Sequence, residues 1–244
     1  ADKEHQTQHP YDDSGHGTHV AGTIAAVSNN GKGVAGIAGG DFKAGKPGVT
    51  LLSCQTFKDL SDGTSRSGDF AAAIVWGANH GAVISQNSWG YSFDTNSDGR
   101  LTGDELKNAM AATIRTSDKE AIDYFIEFAG CDNEGNQRPD SPMKGGVVIF
   151  AAGNDNIANG APANYEPILS VGAIDPNGAK ASYSNYGDWV DICAPGTDIY
   201  STVPGNSYSM KSGTSMACPH VSGVAALVLS YCGGQGFTNE MLID

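Results

Sequence analysis

The chain is short of positive charge. Its 244 residues carry 14 lysines and arginines against 27 aspartates and glutamates, a net charge of −13. This argues against nucleic acid or an anionic membrane as a partner, and it fits a protein that also holds cations. No apolar run reaches the roughly 18 residues that a membrane-spanning helix needs. No internal repeat and no low-complexity linker interrupts the chain. Cysteine is scarce and odd in number, at five, so no disulfide framework is implied. Cys54 and Cys193 lie in apolar runs and are expected as buried thiols. Cys131 and Cys232 lie in Gly-rich loops, where pairing stays open. Cys218 is expected as a small packing residue. No leader peptide is visible at ADKEHQ, which leaves a removed leader open.

Glycine is plentiful. The 33 glycines are roughly twice the usual share, and they stand at turn signals between apolar segments. HGTHVAGTIAAV (16–27) reads as a helix with small residues on one face. VTLLSCQTF (49–57) is a β-branched apolar run, expected as a buried strand. GDFAAAIVWGANHG (68–81) has helical spacing and a glycine stop. AVISQNSW (82–89), GGVVIFAAGN (145–154), EPILSVGAI (166–174) and DWVDICAPG (188–196) read as strands, and VSGVAALVLSY reads as a helix. Strands alternating with helices, with apolar strand cores, predict an α/β domain with a mostly parallel sheet covered on both faces. The interval 91–144 breaks the rhythm. It is polar and acidic, with two helical pieces, DELKNAMAATIR and DKEAIDYFIEFAG.

SGTSMACPH (212–220) raises the question of chemistry. Ser215 stands just before a helical run, between small residues. A serine hydroxyl attacks only when a base takes its proton. His16, between two glycines at a helix mouth, is the candidate base. A developing oxyanion needs fixed donors. Asn154, at the end of a strand, offers its side-chain amide, and the Ser215 N–H at a helix start offers a second. Taken singly, such a serine is more often a helix cap and such a histidine more often structural.

In order, GHGTHVAG, NSWG, AAGN and GTSMA-x-PHVSG resemble the subtilisin-like serine proteases. GAPANY, ILSVGAID and YSNYGDWVDICAPGTDIYST add to the likeness, which runs from about Asp12 to Asp244. The resemblance implies a subtilisin-like α/β fold and a serine endopeptidase. It assigns His16 as general base, Ser215 as nucleophile and Asn154 as the oxyanion-hole side chain. Subtilisin is itself a standard worked case for both the triad and this asparagine. Ser88, Trp89 and Gly90 on one side, with Ala151, Ala152 and Gly153 on the other, are expected to wall the pocket for the residue before the scissile bond. An extended peptide or protein substrate would pair with the first wall. Asp155 is expected to line the pocket and favour basic or polar side chains. Ala161-Pro162 matches a turn whose peptide bond is often cis. His19 and His220 match family positions without a catalytic role; His5, His9 and His80 match none.

One family element is not found. The triad aspartate normally ends an apolar strand upstream of the histidine. Only ADKEHQTQHPYDDSG precedes His16. Asp12 and Asp13 belong to the histidine motif, and Asp2 follows no apolar run. The expectation is a domain spanning 1–244, incomplete at both ends, without its central Asp-bearing strand and nearly inactive alone. Strand exchange with another chain would repair it. The alternative is a non-catalytic pseudoprotease, or a module that binds peptide or calcium. The resemblance implies a secreted, periplasmic or cell-surface setting.

DTNSDGRLTGDE (94–105) fits the calcium-loop pattern D-x-[DN]-x-[DN]-G-x₅-E in full. Asp94, Asn96 and Asp98 would give side-chain oxygens, Arg100 its carbonyl, Thr102 a water-bridged position and Glu105 a bidentate carboxylate. Calcium is therefore the expected cofactor, in an EF-hand-like insertion over about 91–116 that lacks an entering helix. CDNEGNQRPD (131–140) lacks this spacing and reads as a surface loop.

Overall fold

The computed structural model describes residue 12 and residues 14–59 and 65–244. Asp2, His5, His9 and Asp13 lie outside these. In chain order the elements are α1 (His16–Ala25), β1 (Phe57–Asp59), β2 (Ser65–Ser67), α2 (Phe70–Asn79), β3 (Ile84–Asn87), α3 (Gly103–Ala111), α4 (Thr116–Phe128), β4 (Val147–Ala151), β5 (Leu169–Ile174), β6 (Ile192–Pro195), β7 (Ile199–Val203), β8 (Ser207–Lys211), α5 (Thr214–Cys232) and α6 (Asn239–Ile243). The central sheet is parallel, in the order β3-β4-β5-β6. The expected α/β architecture is present.

All five residues of β4 are buried. This follows from helices covering both faces of a parallel sheet, which leaves no polar side. On one face Val148 and Phe150 pack with Ile74 of α2 and with Ile122 and Phe125 of α4. On the other, Val147, Ile149 and Val171 pack with Ala217, Cys218 and Ala225 of α5. α1 lies beside α5, where Val20 and Ile24 meet Met216. α5 is long and apolar enough, at 19 residues, to cross a membrane by length and composition. The sequence reading found no such run, because Ser, Gly, Pro and His dilute it. Here α5 is the core helix against the sheet.

Two expectations fail. Residues 49–56 form no strand, and only Phe57 of VTLLSCQTF enters one, in the β1–β2 ribbon. Leu51 and Leu52 remain 43% and 42% exposed. A strand exists only through its partner's hydrogen bonds, and no neighbouring strand flanks this run among the described residues. Cys54 and Cys193 are exposed rather than buried, for the same reason at Cys54, and because β6 is the sheet edge opposite β3 at Cys193. All five cysteines are free, so Cys131 and Cys232 are unpaired with each other. The antiparallel β7–β8 hairpin was not anticipated. Its turn carries Gly205 and Asn206 at φ 81° and 55°, the left-handed region that these two residues tolerate best.

Candidate active site

α1 begins abruptly. Gly15 at its N-cap has φ 71°, a conformation that costs glycine little. With no side-chain cap at that position, Asp12 supplies one from further back. Its Oδ1 accepts from the Gly15 N–H at 2.9 Å and its Oδ2 from the Thr18 N–H at 2.6 Å. Burial pushes this carboxyl up, but the Thr18, Gly15 and Ser14 hydrogen bonds outweigh it and hold it below its ordinary value. The motif DDSGHG thus builds the helix start that carries His16.

His16 is half-buried; its backbone N–H donates to the Ser14 hydroxyl at 3.1 Å, and its imidazole has no hydrogen-bond partner among the described residues. Burial first, then the nearby Lys211 ammonium, push its pKa down; Asp12 opposes them. A neutral imidazole at neutral pH is the form a general base needs. His19, one turn on, is fully buried. Its Nε2 meets the carbonyls of Ile199 at 2.9 Å and Ser209 at 3.1 Å, tying α1 to both strands of the β7–β8 hairpin. These are structural contacts.

Ser215 lies in the first turn of α5, which starts at Thr214. The first N–H groups of a helix have no intrahelical acceptor and point outward. The Ser215 amide is one of these. The Ser215 hydroxyl faces the Ser88 carbonyl at 3.4 Å, and the Ser88 hydroxyl donates to the Ser215 carbonyl at 2.9 Å. Ser88 therefore sits beside the nucleophile rather than in the pocket wall expected for it.

Asn154 follows β4. Its Oδ1 accepts from the Thr214 N–H at 2.8 Å and from the Thr214 hydroxyl at 2.9 Å. The oxygen is thereby fixed, and the side-chain NH2 remains as a donor beside Ser215. The same Thr214 hydroxyl accepts from the Gly153 N–H at 3.1 Å. Asn185 steadies the loop behind. Its Oδ1 accepts from the amides of Asp155 and Ile157, and its amide donates to the Ala152 carbonyl. Sequence reasoning missed Thr214 and Asn185 as positioning residues. Both lie in motifs already singled out, GTSMA and YSNYG.

A pocket opens between Trp89–Tyr91 and Ala151–Asp155, lined also by Phe93, Asn159 and Ser215. Trp89, Gly90, Ala151, Ala152 and Gly153 line it. The Trp89 indole itself turns away, stacked on Phe70 with ring centroids 4.0 Å apart and donating to Asn87 Oδ1 at 3.0 Å. Asp155 lies on the rim, where burial and the nearby Asp94 push its carboxyl up. The Ala161-Pro162 bond beside the pocket is cis.

The acidic insertion is tied to this pocket at both ends. At its start, the Tyr91 hydroxyl donates to Asp118 of α4 at 2.6 Å. At its far end, Asn159 donates to the carbonyls of Ala109, Met110 and Ala112 that close α3. Within the loop, Asp94 Oδ2, Asn96 Oδ1 and Asp98 Oδ1 accept from the amides of Gly99, Asp98 and Arg100. Glu105 accepts from Thr95 and closes a capping box with Thr102. Among the described residues no three His, Cys, Asp or Glu side chains stand grouped to hold a metal. Asp94 Oδ1 is buried without a hydrogen-bond partner. An orphaned buried carboxylate oxygen suits a cation, so the loop chemistry fits the ion although Glu105 would have to turn toward it.

Ser215 and the Asn154 side-chain amide stand together at the end of a parallel sheet, beside a pocket, on an α/β scaffold. Residues 1–243 match the subtilase family, and the chain belongs to it. It is 37% identical over 222 residues to the thermophilic serine proteinase of Bacillus sp. strain AK1, covering 91% of this chain and 44% of that protein. It is 36% identical over 234 residues to the extracellular basic protease of Dichelobacter nodosus, covering 91% of this chain and 32% of that protein. Among solved structures, the prenylagaramide maturation protease PagA superposes with a TM-score of 0.57 at 30% identity, covering 88% of this chain and 64% of that one. The chain thus spans between about a third and two thirds of the length of these relatives.

Proposed function

We propose that this chain is the catalytic unit of a serine endopeptidase acting through Ser215. The observation that carries the reading is the Thr214–Asn154 pair, which fixes one amide donor beside a serine whose own N–H is free. A peptide lies extended along Ser88–Gly90, with the side chain before the scissile bond in the pocket. His16 takes the Ser215 proton as the hydroxyl oxygen attacks the carbonyl. The Asn154 amide and the Ser215 N–H receive the oxyanion. His16 then protonates the leaving amine, and water repeats the sequence on the acyl-enzyme. The acidic rim at Asp155 and Asp94 favours a basic or polar side chain in the pocket. The extracellular naming of the Dichelobacter relative supports a secreted or cell-surface setting.

No carboxylate hydrogen-bonds His16 among the described residues, and Asp12 is committed to the Gly15 and Thr18 amides. A histidine without an orienting carboxylate loses roughly 10⁴ in rate. With the described residues alone, turnover is therefore expected to be slow. The same observation favours the second reading, a peptide-binding module without catalysis. Calcium at Asp94, Asn96, Asp98, Arg100, Thr102 and Glu105 would supply charge neutralisation and order the pocket's outer wall; it takes no part in the chemistry.

A fluorophosphonate probe separates the readings. Labelling at Ser215, lost in Ser215→Ala, supports the peptidase. Absence of labelling in a polypeptide that supplies a carboxylate to His16 overturns it.

A further inference from the structure

The pocket beside Ser215 has walls of two origins. Trp89–Gly90 and Ala151–Gly153 belong to the motifs NSWG and AAGN. Phe93 and Ala109 belong to neither; they come from the acidic insertion and line the pocket as well. Ala109 is the one buried residue of α3, at 2% exposure. Leu106 and Met110 of the same helix are exposed, and among the described residues no side chain of α3 joins the core clusters. A helix of nine residues is marginal in water without tertiary contacts. What α3 buries, it buries at the pocket. There the Asn159 amide donates to the carbonyls of Ala109 at 2.7 Å and Ala112 at 3.0 Å. Asn159 is itself buried, lines the pocket and accepts from the Asn164 amide.

The chemistry of the walls says what they select. Asn159, Asn185 and Thr214 line the pocket but spend their side chains on partners inside the protein. The insertion adds a methyl and a phenyl ring. This part of the pocket therefore discriminates by shape rather than by hydrogen bonding. The pocket volume is about 100 Å3, whereas a cavity of roughly 150 Å3 takes a benzene ring. An unbranched aliphatic stem, as in Lys or norleucine, fits; a Phe or Tyr ring does not. We infer that Ala109 is a specificity-determining residue, its methyl closing the pocket against aromatic side chains, and that Asn159 is the positioning residue that holds it there. The inference rests on the peptidase reading only in taking this pocket for the side chain before the scissile bond.

The test measures binding rather than turnover. In the chain carrying Ser215→Ala, the peptides acetyl-Ala-Ala-X-methylamide, with X as Ala, norleucine or Phe, are titrated against the amide resonances of Gly90 and Gly160, which line the pocket. Norleucine should bind at least about tenfold more tightly than Phe, since one methyl in an apolar pocket is worth roughly 10–200-fold. Ala109→Gly should bring Phe to within about threefold of norleucine, and Ala109→Val should weaken norleucine about tenfold. The Ala peptide does not reach the wall and should bind every variant alike, which a general loss of structure would not allow. Asn159→Ala should reduce the norleucine preference as Ala109→Gly does. So should Asn159→Asp, which keeps the size and loses the donors.

A norleucine-to-Phe ratio that ignores residue 109, or that changes only in step with the Ala peptide, overturns the inference, as does no binding at millimolar peptide. A ratio kept in Asn159→Asp overturns the role of Asn159. If the ratio follows residue 109 but Ser215 takes no fluorophosphonate in a polypeptide that supplies a carboxylate to His16, the wall stands and the peptidase reading fails. If labelling succeeds and the ratio ignores residue 109, the wall alone fails.

Discussion

Thr214 holds Asn154 by two hydrogen bonds to a single oxygen, from its amide at 2.8 Å and its hydroxyl at 2.9 Å. The residue next to Ser215 thus aims the proposed oxyanion donor. In a catalytically complete polypeptide, Asn154→Ala should lower kcat by roughly 10²–10³ with KM little changed, since its bond forms mainly in the transition state. Thr214→Val keeps the backbone donor and removes the hydroxyl. It should cost about tenfold in kcat, with KM again preserved. An unchanged kcat in Thr214→Val would show that the amide alone suffices.

The pH profile should report His16. Burial and Lys211 hold its pKa below the usual histidine value. The acid limb of kcat/KM should therefore lie below about pH 6.5. Lys211→Met removes a positive charge that disfavours imidazolium, so the limb should move up in pH. A limb that moves down or stays would show that Lys211 does not act on His16.

Stability should fall in mild acid. His16, His19 and His220 are all held low, in each case first by burial. Each binds its proton more weakly in the folded state than in the unfolded one. Between those depressed values and about pH 6.5 the unfolded chain takes up more protons, so the unfolding free energy drops as pH falls through that window. Tm should decrease from about pH 7.5 to about pH 5. A flat or rising Tm would contradict the buried neutral histidines.

Calcium binding is testable by calorimetry. The loop has no entering helix, so affinity should be modest, on the order of 10⁻⁵–10⁻³ M, with one ion per chain. Glu105→Gln and Asp98→Ala should each weaken it strongly, and binding should raise Tm by mass action. Magnesium should substitute poorly, because about seven oxygens suit calcium better than an octahedral ion. Unchanged affinity in both variants, or no binding at millimolar calcium, would leave the segment as an acidic loop.

Thiol labelling should divide the cysteines. Cys54, Cys193 and Cys232 are exposed, whereas Cys218 is buried and its pKa is pushed up to about 11. In the native protein at neutral pH, Cys218 should stay unmodified while these three react. Reaction of all of them at one rate would place Cys218 outside the core.

The sequence by itself determined the helices and named the candidate site residues, because both are written locally. Asp12, Gly15 and His16 lie within the five letters DDSGH, and GTS and AAGN are equally compact. The parallel sheet was legible for a similar reason: unbroken apolar runs such as VVIFA need cover on both sides. The tertiary structure alone decided what those pieces do to one another. VTLLSCQTF has a strand's composition, yet a strand needs an edge to pair with, and Leu51 and Leu52 instead stay exposed. Asn154 became an aimed donor only through Thr214, sixty residues away in the chain. Lys211 reached His16 only through an unanticipated hairpin that His19 clamps to α1. Hydrogen-bond partners, charge neighbours and empty space are properties of distance, and distance between remote residues is fixed by folding.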